Sequence, residues 1–380
     1  MEWTAKRRFL TALSRGKPDR LPVTTHHLMK YFLDTYMNGI DEQSFFDYFG
    51  LDPILWTMPI KPNFSLGEYW SRDNQFIISD SWRVERENLG YEEGFPIERV
   101  NIITPKGNLS CVRKFNKHTV WLLERPIKKK SDINLLEYIT KPVYDVDLVN
   151  KFAEEFGERG LVRGTVMPCF DVFGQPGCWQ DAACMYGIEN LILETFYDPI
   201  WVHEFLSILR ERKLVTIKSL KGAKYDILEL GGGDASSTVI SPSVFEKFVA
   251  PYDSVLIEEI HKQSQKIVYH TCGGMMPILD LIVSMGPDAI ETLTPTEMGG
   301  DVNLREVKKR VGDKVCLIGG FDQYHYFIGC SSEDTRKAVR KCFEEAGEGG
   351  GYILSPSDHF FDANLELIRA YADEAKKCHY

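Results

Sequence analysis

Eight short apolar runs, several rich in β-branched residues, recur along the chain with amphipathic stretches between them. They are LPVTT (21–25), PILWTM (53–58), LVRGTVM (161–167), DILELG (226–231), KIVYHT (266–271), DAIETL (288–293), VCLIGG (315–320) and YILSP (352–356). The stretches between them include SPSVFEKFVAPYDSVLIEEIHKQ, MMPILDLIVSMG, NLREVKKRVG and SSEDTRKAVRKCFEEAG. Several open on Ser or Asn and close on Gly, the residues that cap helix starts and ends. Strand followed by helix, eight times over, predicts an α/β fold: a parallel (β/α)8 TIM-type barrel. At 380 residues the chain is long enough for one such domain, 1–380, with an insertion.

The insertion reads as residues 66–140. QFIISDSWRVERENLGYEEGFPIERVNIITPKGNLSCVRKFNKHTVWLLERPIKK alternates apolar and polar residues around turns such as TPKGN. This predicts antiparallel β-hairpins inserted after strand 2, and attachment beyond a strand's C-terminal end predicts that they overhang the barrel mouth.

Composition removes some partners. The net charge of −10 repels a phosphate backbone, so no nucleic-acid partner is expected. No run approaches the roughly 20 apolar residues of a membrane span, and MEWTAKRRFLTAL reads as an amphipathic helix, not a signal peptide. The nine cysteines are odd in number and scattered, which favours a reduced, cytoplasmic protein over a disulfide framework. Oligomeric state is not readable, and a homodimer is left open.

In a barrel the functional groups stand at the C-terminal strand ends. Read in order, those ends offer His26 and His27; Met167 and Cys169; Glu229, then Asp234 in GGGDASS; His270 and Cys272; Glu291; Asp322; and Asp358 with His359. Residues i and i+2 of a strand share a face, so His270 and Cys272 can address one point. Imidazole and thiolate are zinc ligands, and Glu291 ends the next strand; three ligands and an open position make a catalytic zinc site. His26 and His27 are adjacent, so at most one is expected to face the mouth. Asp234, Asp358 and His359 also suit capping roles in loops. Tyr324, with His325 and Tyr326, forms an aromatic loop that either lines a substrate or covers the barrel.

KRRFLTALSRGKPDRLPV, ISPSVFEKFVAPY (240–252), YHTCGG, GGFD and GGGYILSPSDH, in this order, resemble the uroporphyrinogen decarboxylase superfamily over nearly the whole chain. Decarboxylases of that superfamily carry an arginine-bearing stretch close to MRQAGRY after the first strand; here TTHHLMKYF stands instead. The His-x-Cys of the fifth strand resembles the branch of zinc-dependent methyltransferases that work with a corrinoid (cobalamin) protein. That resemblance implies zinc on His270 and Cys272, a small methylated substrate such as a methoxylated compound, and a corrinoid protein as partner. Many such methyltransferases have a third Cys in a PGC motif where this chain has Asp358. The third ligand is therefore Glu291, as in the similar cobalamin-independent methionine synthases, or Asp358 or His359. On this reading Asp234, His26 and His359 are catalytic, and His27, Met167 and Tyr324 contact substrate. The alternative is a metal-free decarboxylase, in which Asp234 stabilises a cationic intermediate and His26 or His359 handles protons.

Overall fold

The computed structural model describes residues 2–61, 78–116, 119–167 and 176–380. Residues 66–77 and 117–118 of the expected insertion, and Cys169, lie outside the described residues. The described strands are β1 (Ile54–Trp56), β2 (Ile60–Lys61), β3 (Arg83–Glu92), β4 (Phe95–Thr104), β5 (Gly107–Phe115), β6 (Val120–Glu124), β7 (Val143–Tyr144), β8 (Leu161–Thr165), β9 (Ile227–Gly231), β10 (Ile267–His270), β11 (Ala289–Thr292), β12 (Cys316–Gly319) and β13 (Tyr352–Ile353).

Seven of these form one parallel sheet in the order β1-β8-β9-β10-β11-β12-β13. The expected first strand is reduced to a single parallel bridge, Val23 to Leu354, which joins β13. On its other side the Asp52 N–H donates to the Val23 carbonyl at 2.8 Å, and the Asp52 carboxylate accepts from the Val23 N–H at 3.0 Å. Pro22 leaves this segment one donor short, and the Asp52 side chain stands in for a neighbouring strand's main chain. Helices such as Pro199–Lys218, Ala250–Lys262 and Ser332–Ala346 lie between successive parallel strands in the chain, so the architecture fits a TIM-type barrel.

The period-2 alternation of the strands sorts the barrel interior into layers. Ile54, Leu161, Ile227, Ala289 and Cys316, each the first residue of its strand, form a floor with Val268. Helix Ala5–Leu13 seals that floor with Phe9, Ala12 and Leu13, all buried; Thr4 caps it by accepting from the Arg7 N–H. Two residues further along each strand the character changes. Trp56, Arg163, Glu229, His270 and Glu291 occupy the next inward layer, with Ile318 the apolar member. Charged side chains in fully buried strands demand partners.

The expected hairpins appear as an antiparallel sheet, β3-β4-β5-β6. One face of β4 alternates into the core through Glu98, Val100, Ile102 and Thr104, with Glu98 ion-paired to Arg113. The root of the insertion is the β2–β7 pair. There the Tyr144 hydroxyl donates to the carbonyl of Thr165, the last residue of β8, so the insertion leaves and re-enters at the C-terminal end of the barrel strands.

Candidate active site

Arg163 in β8 organises the charged layer. Its guanidinium donates to Glu291 Oε2 at 2.9 Å and also contacts Glu291 Oε1 and Glu229 Oε2. It lies 4.4 Å above the Trp56 ring. Burial works against its charge, but the two carboxylates more than offset this and hold its pKa above the usual arginine value. Glu291 is opposed by burial too, yet Arg163 and then His270 hold it ionised, well below the ordinary glutamate range. Burial raises Glu229, which has the smaller share of the arginine.

His270 ends β10 directly opposite Glu291 in the register. Its Nδ1 lies 3.0 Å from Glu291 Oε1, and its Nε2 lies 2.9 Å from Cys272 Sγ. The imidazole is thus held on one side by a carboxylate and aimed at a thiol on the other. Burial would lower its pKa, but Cys272, Glu229 and Glu291 keep it well above the usual histidine value. The chain beyond Cys272 bends out at Gly273 (φ 87°), where a Cβ would come within 2.6 Å of Thr238 Oγ1. The absence of a side chain at Gly273 lets the Cys272 loop pass against Ser236 and Thr238.

Both His26 and His27 turn into the mouth, against the expectation that only one would. His26 Nδ1 is 3.9 Å from Glu291 Oε2 and its ring stacks on His270 at 5.2 Å. His27 Nε2 is 3.9 Å from Glu229 Oε2 and its ring stacks on Trp56 at 4.3 Å. Beyond the bridge at Val23 the chain is no longer a strand, so alternation of faces does not apply. Burial, with Glu291 pulling the other way and the cations of His270 and Arg163 adding to it, lowers the His26 pKa to about 3. His27 is likewise held neutral, by burial first and then by His26 and Arg163. Donor atoms of His26, His270 and Glu291 lie within 4.8 Å of one another.

The other expected residues have partners of their own. Asp234 accepts from Gln180 Nε2 at 2.8 Å, and burial raises its pKa. Asp358 pairs with His359, Oδ1 to Nδ1 at 2.8 Å; burial opposes its ionisation, but His359, His26 and His270 hold it well below the usual range. Met167 is buried, its carbonyl accepting from Lys213 Nζ at 3.1 Å. Tyr324 is 68% exposed, its ring against His325. The candidate residues read from the sequence did not include Arg163 or Trp56. Their signal was a charge inside the apolar run LVRGTVM and an aromatic at the matching point of PILWTM.

Cys272 is a free thiol, and no described helix is long and apolar enough to cross a membrane. Among solved structures, a methyltransferase from Methanosarcina mazei superposes with a TM-score of 0.64 at 15% identity, covering 99% of both chains, which shows a shared fold. By sequence the chain is similar to the methylated-thiol–coenzyme M methyltransferase of Methanosarcina mazei, 25% identical over 253 residues, 63% of this chain and 65% of that one. It is also similar to the uroporphyrinogen decarboxylases of Thioalkalivibrio sulfidiphilus (24% over 188 residues, 47% of this chain and 50% of that one) and Trichodesmium erythraeum (23% over 245 residues, 62% and 63%). The chain thus spans between half and about two-thirds of the length of these relatives. The family model for uroporphyrinogen decarboxylase (URO-D) matches residues 118–378, more than half of the sequence, and the chain belongs to that family.

Proposed function

We propose that the protein is a methyltransferase that moves a methyl group from a small methylated substrate to a corrinoid carried on a separate protein, with zinc held at the barrel mouth. The observation that carries this reading is the His270–Cys272 pair: Nε2 and Sγ 2.9 Å apart, with Nδ1 held by a buried carboxylate. That is the donor set zinc takes, and a ligating histidine characteristically gives its other ring nitrogen to a carboxylate. Glu291, expected as a ligand, engages Arg163 through both oxygens and His270 through one, so we assign it the orienting role. His26, neutral, shares with His270 and Glu291 a set of donor atoms within 4.8 Å of one another that does not take in Cys272, so His26 is our candidate for a further ligand beside His270, while Asp358, expected as a ligand, pairs with His359.

When bound, zinc supplies Lewis acidity that stabilises the anion left on the substrate's heteroatom as the methyl leaves. The chain's own residues do the rest. Glu291 fixes the tautomer and direction of His270, and Arg163 keeps Glu291 ionised. His26, with a pKa lowered to about 3, is a neutral imidazole at neutral pH, so one ring nitrogen is open as a ligand or acceptor and no imidazolium is there to act as an acid. Arg163 is neutralised by Glu229 and Glu291 and offers no spare charge to a polycarboxylate, which weighs against uroporphyrinogen as substrate.

The test is one experiment with two arms. The protein is incubated with uroporphyrinogen, and separately with methoxylated aromatics, methylamines and methyl thiols plus a reduced corrinoid protein. Carbon dioxide release is followed in the first arm and the corrinoid's absorption change on methylation in the second. Methyl transfer, abolished in Cys272→Ser with the fold intact, is expected; Glu291→Gln should weaken zinc about 10- to 100-fold. Decarboxylation that survives Cys272→Ser would overturn the reading.

A further inference from the structure

Two consecutive residues at the end of β11, Thr292 (φ 78°) and Leu293 (φ 49°), sit buried in the left-handed region. A β-branched residue there is an outlier and persists only where its surroundings hold it. Glycine would make the same turn without steric cost, so what the threonine adds is its hydroxyl. Thr292 Oγ1 donates to the Thr271 carbonyl at 2.6 Å. Two residues on, Thr294 Oγ1 donates to Thr292 Oγ1 at 3.4 Å and accepts from the Gly273 N–H at 3.3 Å. The Thr271 carbonyl belongs to the peptide before Cys272, and the Gly273 N–H to the peptide after it. The peptide groups on both sides of Cys272 are therefore gripped by hydroxyls from one strained turn. The turn is backed from β12: the Gly320 N–H donates to the Thr292 carbonyl at 3.0 Å, and a Cβ on Gly319 (φ 116°) would come within 2.2 Å of that carbonyl.

The geometry points to Thr292 and Thr294 as positioning residues that aim the Cys272 thiol at His270 Nε2. This rests on the reading of His270 and Cys272 as a ligand pair and adds what keeps the pair in line. One strand end then sets both donors, Glu291 the imidazole and Thr292 the thiol.

The test compares wild type with Thr292→Val, Thr292→Ser and Thr294→Val, each checked for folding by circular dichroism and thermal melting. Zinc affinity is read by competition with a chromophoric chelator. The alkylation rate of Cys272 is read in metal-stripped protein at fixed pH, by mass spectrometry of its peptide. Thr292→Val should weaken zinc about tenfold or more and change the alkylation rate at least about threefold, as loss of a supporting contact does. Thr292→Ser, which keeps the hydroxyl, should stay within about twofold of wild type in both. A folded Thr292→Val that matches wild type in both readouts overturns the proposal, as does a Thr292→Ser as damaged as Thr292→Val. If Thr292→Val does not fold, Thr294→Val decides by the same comparison, a shift of about threefold or more supporting the proposal. If wild type takes up no zinc, the metal reading falls, and the alkylation rates alone decide the role of the threonines.

Discussion

Arg163 sets the charge balance of the mouth, since removing it leaves Glu229 and Glu291 buried without the guanidinium they share and with only His270, beside Glu291, in its place. Arg163→Met should therefore cost about 3–5 kcal/mol in urea unfolding. Arg163→Lys should restore only part of that, because a single ammonium cannot fork between two carboxylates. Asp253 gives the clearest pH signature away from the mouth. It accepts from the Tyr269 hydroxyl at 2.9 Å and from the Cys178 N–H at 3.3 Å, yet burial outweighs these and raises its pKa from 3.8 to about 6. A carboxyl raised in the folded state contributes stability that is full below its unfolded pKa and is lost as pH rises through the folded one. Between pH 4 and 7, Asp253→Asn should thus gain on wild type by on the order of 2 kcal/mol, read from urea midpoints; a gap that does not move with pH would refute the raised pKa. Arg163 was legible as a charge in an apolar run, but its partners lie 66 and 128 residues away. Which residues share a layer is decided by strand register, and a single sequence does not carry register.

At the level of elements, the seven later β runs fold as the expected strands, trimmed at their ends, because a continuous apolar run between capped helices has few other ways to be buried. The hairpin sheet was legible from its alternation, since β4 buries every second residue. The first run was misread as a full strand, because the sequence does not show that Asp52 would take over half its pairing. Nor did the sequence give the N-terminal helix its place under the barrel. Phe9→Ala in that helix should open a cavity at the floor and cost about 3–5 kcal/mol in thermal or urea unfolding. Zinc affinity of the folded fraction should stay within about twofold of wild type, because the floor lies a layer below the donors and distant changes act independently.

For the whole molecule, the barrel and its family were legible, and the substrate was not, because relatives named for decarboxylation and for methyl transfer are similar to this chain to nearly the same degree. The closure at Val23 has a mechanical consequence. A cylinder bends first at its least-bonded joint, and here the joint consists of the Thr24 N–H and Pro22 carbonyl bonded to Leu354 on one side and Asp52 on the other. The β9–β10 joint, by contrast, runs through four residue pairs. Amides of Thr24 and Leu354 should exchange with deuterium ahead of those in β9, β10 and β11, and Asp52→Asn should speed them further. Residues 26 and 27 hang just past that joint. His270, by contrast, ends β10, a strand paired with β9 on one side and β11 on the other. The mouth is thus walled in two halves of unequal bonding: His270 ends a stave paired on both sides, while His26 and His27 follow a joint of one bridge.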